Sequence, residues 1–126
     1  MASHLVVAVA NHKGGVAKTA STLALAEAAV SRGLTVGLID LDPNCTLTET
    51  LEPVDLDAAG SKDLLRDDRD LSLAACLTAT GEQWGGVRVC VSDPLLSNRE
   101  YDLTAPTPVR NGCDGRSPWT PVGWTW

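Results

Sequence analysis

The stretch of sequence that decides the fold reads Lys13-Gly14-Gly15-Val16-Ala17-Lys18-Thr19. Two glycines let a backbone curl around phosphate oxygens, and a helix that starts next to them adds positive potential at its N-terminus. Lys18 would reach the β and γ phosphates of a nucleotide, and the Thr19 hydroxyl would ligate the bridging magnesium ion. A plain strand-to-helix turn with solvated lysines is the alternative, but spacing and context favour a phosphate loop.

The segments on both sides of the loop predict a strand, a helix and a second strand. Leu5–Ala10 is a continuous apolar run, which is typical of a strand buried on both faces of a parallel sheet. Lys18–Arg32 lacks proline and precedes Gly33, so it predicts a helix. Leu34–Ile39 is a second apolar run, and a short crossover helix joins parallel strands with right-handed geometry.

The regularity of the pattern weakens after Pro43. We predict, in chain order, a short helix over Thr46–Leu51, an acidic loop over Glu52–Gly60, a capped helical turn over Ser61–Leu65, a helix over Asp70–Thr80 and a strand over Val87–Val91.

Composition limits the classes of function. The chain has 126 residues, the size of one domain, and a formal charge of −6. Because nucleic acid affinity comes mostly from Lys and Arg, any DNA contact would need a local basic patch or a partner protein. The four cysteines are scattered without metal-ligand spacing, which favours free thiols in a reducing cytosol. The N-terminus does not resemble a secretory signal.

One lysine distinguishes this loop from the standard Walker A motif. His12 and Ala17 stand where that motif has glycine, and Lys13 is added. The loop thereby resembles that of the deviant Walker A ATPases, the family of the partition protein ParA and the division-site protein MinD, which reads x-Lys-Gly-Gly-x-x-Lys-Thr/Ser. The resemblance implies an α/β, three-layer P-loop NTPase fold with a parallel sheet, and ATP and Mg²⁺ as cofactors.

The resemblance also implies roles for the loop residues. Lys13 would be catalytic, because in this family the signature lysine reaches the nucleotide of the opposite subunit in an ATP-bound homodimer. The residues that would hold the cofactor are Gly14, Gly15, Val16, Ala17, Lys18, Thr19 and Ala20. Ala17 would be strained if its position needs a positive φ, and Ala20 replaces a hydroxyl residue that many relatives carry.

A second motif follows at the expected distance from Lys18. The segment Leu38–Asn44 is similar to the family's strand that ends in Asp-x-Asp-Pro-Gln. Carboxylates at the C-terminal end of a parallel strand lie where ligands bind in such sheets. Asp40 would support the water shell of the magnesium ion, and by resemblance Asp42 would orient the attacking water. Alone, the pair would be interpreted as a solvated loop start. Weaker similarity continues to about residue 100.

The C-terminal part of the sequence departs from the family. We interpret residues 1–103 as the N-terminal half of a ParA-like P-loop ATPase domain and residues 104–126 as an irregular tail rich in Pro, Gly and Trp. The Walker B strand that the family has after this point is not found. We hypothesise a frameshift or premature stop in a GC-rich gene; a genuine extension with tryptophan anchors is the alternative.

Three functional interpretations remain open. The first is a cytoplasmic, nucleoid-associated partition ATPase for plasmid or chromosome segregation, with nonspecific DNA and a ParB-like activator as partners. The second is a catalytically dead remnant that competes for dimerisation with a full-length relative. The third is a metabolic ATPase such as the nitrogenase iron protein or dethiobiotin synthetase, which the cysteine pattern and the Asp-Leu-Asp-Pro segment disfavour. A MinD-like membrane role is not expected, because the tail lacks an amphipathic basic helix.

Overall fold

A computed structural model of the chain describes residues 4–66 and 71–98. This part is an α/β structure with four short or medium helices, a single 3₁₀ turn and one three-stranded sheet. Its elements are α1 (Lys18–Val30), β1 (Val36–Ile39), α2 (Thr46–Leu51), α3 (Ser61–Leu64), α4 (Leu73–Cys76), β2 (Leu77–Ala79), the 3₁₀ helix Glu82–Trp84, and β3 (Val87–Cys90). Within the described residues, no helix combines the length and the apolarity needed to cross a bilayer.

The sheet is mixed, with strand order β1-β3-β2. β1 and β3 run parallel, in a register from Val36 opposite Val87 to Ile39 opposite Cys90. β2 runs antiparallel to β3. The predicted parallel sheet is therefore confirmed for β1 and β3 and wrong for β2.

Five predicted elements are present. α1 ends two residues before the predicted Arg32, and Gly33 follows it with a φ of +76°. α2 has the predicted bounds, α3 and β3 each end one residue early, and β1 starts two residues late. The predicted helix over Asp70–Thr80 is wrong in its second half. Leu77–Ala79 forms β2 there, because pairing with β3 overrides a weak local preference for helix.

The predicted first strand, Leu5–Ala10, is also wrong. These residues belong to no helix or strand, and Leu5 and Val6 are each 89% exposed. A strand exists only where a neighbour satisfies its backbone groups, and the strands of the described residues are paired among themselves. The apolar composition of this run predicted a buried strand, and both the strand and its burial are wrong, because composition cannot supply the neighbouring strand that burial requires.

The core lies between α1, α2 and one face of the sheet. Its fully buried members come from three elements: Ala26 of α1, Leu47 and Leu51 of α2, and Val87, Val89 and Val91 on and after β3. Leu23 and Val30, on the same face of α1 as Ala26, pack against this cluster. These three residues recur at helical spacing and form the inward face of α1.

The direction of α1 follows from its C-terminal end. A Cβ placed on Gly86, just before β3, would lie 3.3 Å from Val30 Cγ1. The last turn of α1 thus lies beside the start of β3, and β1 runs parallel to β3. The C-terminal end of α1 is therefore the end that lies beside the start of β3.

Candidate functional site

The glycine-rich loop is held by local bonds within its own segment. The Lys13 backbone N–H donates to Asn11 Oδ1 at 2.9 Å, and Lys18 Nζ donates to the Lys13 carbonyl oxygen at 3.4 Å. Gly15 and Ala17 both have a positive φ, of +69° and +59°. Glycine adopts that conformation freely, whereas alanine pays a steric cost. The condition under which Ala17 was expected to be strained is therefore met.

The loop is open enough for a ligand to approach its backbone. Residues 11–17 are exposed, and a Cβ built on Gly14 or Gly15 would meet no atom within 4 Å, so the backbone can be approached closely. Ala17 is the N-cap of α1 and offers no side-chain cap, which leaves the first N–H groups of a 13-residue helix available to an anion. Lys18 and Thr19 are half-buried in the first turn.

The carboxyl end of β1 is built in the opposite way. Asp40 is 3% exposed, and its Oδ2 accepts hydrogen bonds from the Thr48 N–H at 2.9 Å and the Thr48 hydroxyl at 2.6 Å. Its Oδ1 accepts a bond from the Asp42 N–H at 3.0 Å. The carboxylate therefore ties β1 to the first turn of α2, a structural role that its sequence pattern did not predict. Its metal role stays a prediction.

Asp42 presents a partly exposed carboxylate beside this network. Its Oδ1 accepts bonds from the backbone N–H and the side-chain amide of Asn44, both at 2.9 Å. Its Oδ2 has no hydrogen-bond partner among the described residues. The arrangement fixes one oxygen and leaves the other able to accept a proton or orient a polar ligand.

Two residues of the site escaped the sequence analysis. The Ser92 N–H donates to Thr48 Oγ1 at 2.9 Å, and the Ser92 hydroxyl donates to the Asp42 carbonyl oxygen at 2.7 Å. These bonds span 44 and 50 residues of sequence. Only the position of Ser92 after a predicted strand, at the same sheet edge as Asp42, could have suggested the contact.

The resemblance predicts that the loop and the aspartates belong to one site. Within residues 4–66 and 71–98, no hydrogen bond or ion pair joins residues 13–20 to Asp40 or Asp42. In the described structure the two halves of the predicted site are not bonded to each other, and their meeting around a nucleotide stays a prediction.

The cysteines are kept out of this chemistry. Cys45, Cys76 and Cys90 are free and buried, whereas Cys113 lies outside the described residues. Burial, followed by the neighbouring Cys76, raises the pKa of Cys90 to about 12, and burial also raises the pKa of Cys45. Both thiols therefore stay protonated near neutral pH, and the described residues contain no cluster of metal-ligating side chains.

An open glycine-rich loop that runs into a helix, together with carboxylates that follow a strand of a parallel pair, is typical of a nucleotide-binding domain of the P-loop class. The CbiA family, described as the CobQ/CobB/MinD/ParA nucleotide binding domain, matches residues 7–100, which is more than half of the chain. The chain belongs to this family, and the α/β structure is compatible with its P-loop NTPase-like fold. Searches of curated proteins and of solved structures found no match.

Proposed function

We propose that this chain is a ParA-type partition ATPase of plasmid or chromosome segregation that hydrolyses ATP as a nucleotide-sandwich dimer. The position of Lys13 is the observation that carries the proposal. Lys13 opens the loop and is exposed, and its ammonium makes no hydrogen bond or ion pair within the described part of the chain. A cation that no neighbour holds is available to the nucleotide of a second subunit.

The remaining residues divide the chemistry among them. Residues 14–20 would hold the phosphates of ATP, with Lys18 supplying the positive charge and Thr19 and Asp40 holding magnesium. Bound magnesium would neutralise negative charge on the phosphates. Asp42, with its second carboxylate oxygen unpaired in the described structure, would orient the attacking water.

The expected macromolecular partners are nonspecific DNA and a ParB-like activator, as in the partition branch of the family. The formal charge of −6 restricts any DNA contact to a local patch or to a surface formed by two subunits. We propose these partners from the family likeness and the deviant loop, and we assign no surface to them.

Ligand-induced stabilisation and turnover test the proposal together. Magnesium and ATP should raise the melting temperature of the chain, because a ligand bound only to the folded state stabilises it. Lys18→Ala should abolish this shift. Lys13→Ala should keep the shift but lose both phosphate release and the ATP-dependent dimer measured by light scattering. Arg32→Ala, a matched loss of an exposed cation beyond the far end of α1, should change none of these.

Two outcomes would contradict the proposal. Absence of any melting shift at millimolar ATP would exclude nucleotide binding, and hydrolysis at an unchanged rate in Lys13→Ala would exclude a sandwich dimer.

A second candidate is a chain that binds nucleotide without turnover and competes for dimer formation. One observation favours it: residues 5–10 lead into the loop but pair with no strand of the described part. ATP binding without phosphate release would identify this candidate.

A further inference from the structure

A closed set of hydrogen bonds surrounds the backbone of Asp42. Its N–H donates to Asp40 Oδ1 at 3.0 Å, and its carbonyl oxygen accepts bonds from the Ser92 hydroxyl at 2.7 Å and the Cys45 N–H at 2.9 Å. Both polar backbone groups of Asp42 are thereby satisfied, the N–H by a carboxylate two residues away and the carbonyl oxygen by one local bond and one bond from Ser92, 50 residues along the chain. The backbone that carries the Asp42 carboxylate is fixed on two sides.

Thr48 is the residue that joins these bonds. Its hydroxyl donates to Asp40 Oδ2 at 2.6 Å and accepts from the Ser92 N–H at 2.9 Å. Asp40 and Thr48 are each 3% exposed, and Ser92 is 9% exposed. Water therefore cannot easily replace the hydroxyl, and hydrogen bonds to a buried carboxylate are stronger than those between neutral groups.

Helix α2 depends on the same contact. Its N-cap, Cys45, has a φ of +56° and makes no side-chain cap, and the Thr48 N–H in the first turn donates to Asp40 Oδ2 instead. Asp40 thus caps a helix from eight residues upstream. Thr48 receives both a backbone and a side-chain restraint from one carboxylate oxygen, so its rotamer is fixed.

We propose that Thr48, acting through Asp40 and Ser92, is a positioning residue that holds Asp42 at the carboxyl end of β1 for its work on ATP. Its catalytic meaning rests on the proposed function. The side chain of Thr48 contacts Asp40 and Ser92, and its role does not require contact with the nucleotide. It fixes where the Asp42 carboxylate lies, and a small displacement of an orienting group lowers turnover more than it lowers ligand affinity.

The experiment compares Thr48→Val, which keeps the shape and removes the hydroxyl, with Thr48→Ser, which keeps the hydroxyl. Thr50→Val is the matched control, because that hydroxyl is exposed and bonds only to the Thr46 carbonyl oxygen of its own helix. In Thr48→Val, kcat should fall about tenfold while the Kd for ATP stays within about twofold. Thr48→Ser should restore kcat to within about threefold of the unsubstituted chain, and Thr50→Val should leave it unchanged.

A second measurement needs no turnover. Amide hydrogen exchange of Asp42 and Asn44, whose N–H groups donate to Asp40 and Asp42, reports how firmly this segment is held. Exchange at both amides should accelerate by about tenfold in Thr48→Val and stay unchanged in Thr48→Ser. Should Thr48→Val fail to fold, Ser92→Ala removes only the hydroxyl that holds the Asp42 carbonyl, and it should accelerate the same two amides.

The two readouts separate the two proposals. If the unsubstituted chain binds no ATP, the proposed function is wrong, and amide exchange alone decides whether Thr48 positions Asp42. If ATP is bound and hydrolysed, an unchanged kcat in Thr48→Val overturns the positioning role in catalysis. Unchanged exchange at Asp42 and Asn44 in a folded Thr48→Val chain overturns the positioning itself.

Discussion

The carboxyl end of β1 and the loop before α1 are two parts of one predicted site with opposite construction. Besides two-residue bonds, Asp40 and Asp42 make bonds that reach 8 and 50 residues along the chain, and Asp40 is buried. The loop is exposed and is held by bonds that span two and five residues. Tertiary contacts fix the end of β1, whereas only local backbone bonds shape the loop. We therefore expect ligand binding to change the conformation of the loop more than that of the aspartates.

The largest expected contrast comes from adding one methyl group to a glycine of the loop and one to a glycine that packs against Val91, the residue before Ser92. A Cβ on Gly60 would overlap the carbonyl oxygen of Val91, which accepts bonds from the Ser61 N–H and hydroxyl next to the site. Gly60→Ala should lower the free energy of unfolding by about 2 kcal/mol, since the strand cannot move aside without losing those bonds. Gly14→Ala, which meets no atom within 4 Å, should change it by less than about 0.5 kcal/mol.

Urea denaturation of the two variants measures both values. Equal losses in the two variants would break the comparison, because they would mean that the loop is packed as tightly as the sheet edge. A loss confined to Gly60→Ala would support it.

An intermediate effect of opposite sign is expected inside the loop. Ala17 has a φ of +59°, a conformation in which glycine has no Cβ to clash. Ala17→Gly should therefore raise the free energy of unfolding by about 1 kcal/mol, and the urea midpoint should rise with it. Ala20→Gly, three residues later within α1, should lower it by about 0.5–1 kcal/mol, because glycine in a helix loses backbone entropy. Destabilisation by both substitutions would show that Ala17 carries no strain.

Sequence patterns anticipated the locally determined parts of the molecule. α1, α2 and the turn of α3 follow from composition, stop residues and capping, and each forms within two residues of its predicted bounds. The strand predicted over Leu5–Ala10 does not form, because a strand needs a neighbouring strand and no local sequence pattern can specify that neighbour. The helix predicted beyond Cys76 is wrong for the same reason, because the chain forms β2 from Leu77 by pairing with β3, which lies ten residues further along the chain.

The candidate site shows the same difference between features set by local sequence and features set by distant contacts. The loop and both aspartates are visible as motifs, because glycine, lysine and carboxylate must stand at fixed spacing. The contacts of Thr48 and Ser92 are not visible, because they depend on how β1 and β3 align. The sequence therefore indicates which groups meet the ligand better than it indicates what holds them.

The smallest expected effect concerns a surface ion pair that involves Asp93, the residue after Ser92. Lys62 Nζ lies 2.6 Å from Asp93 Oδ2, with the two side chains 28% and 35% exposed. The Lys62 hydrogen bond, followed by the Leu95 N–H, lowers the pKa of Asp93 below its usual range.

A carboxyl group whose pKa is lowered by folding stabilises the protein at pH values above its unfolded-state pKa. This stabilisation is lost as the pH falls through the folded-state pKa. Lys62→Met should therefore cost about 0.5 kcal/mol at neutral pH, as exposed pairs do, and almost nothing in acid once the pH has fallen below the folded-state pKa of Asp93. Urea unfolding at the two pH values measures the difference, and Lys13→Met, an exposed lysine of the loop, should show no such pH dependence. A Lys62→Met cost that persists in acid would assign the contribution to packing of the lysine stem instead of its charge.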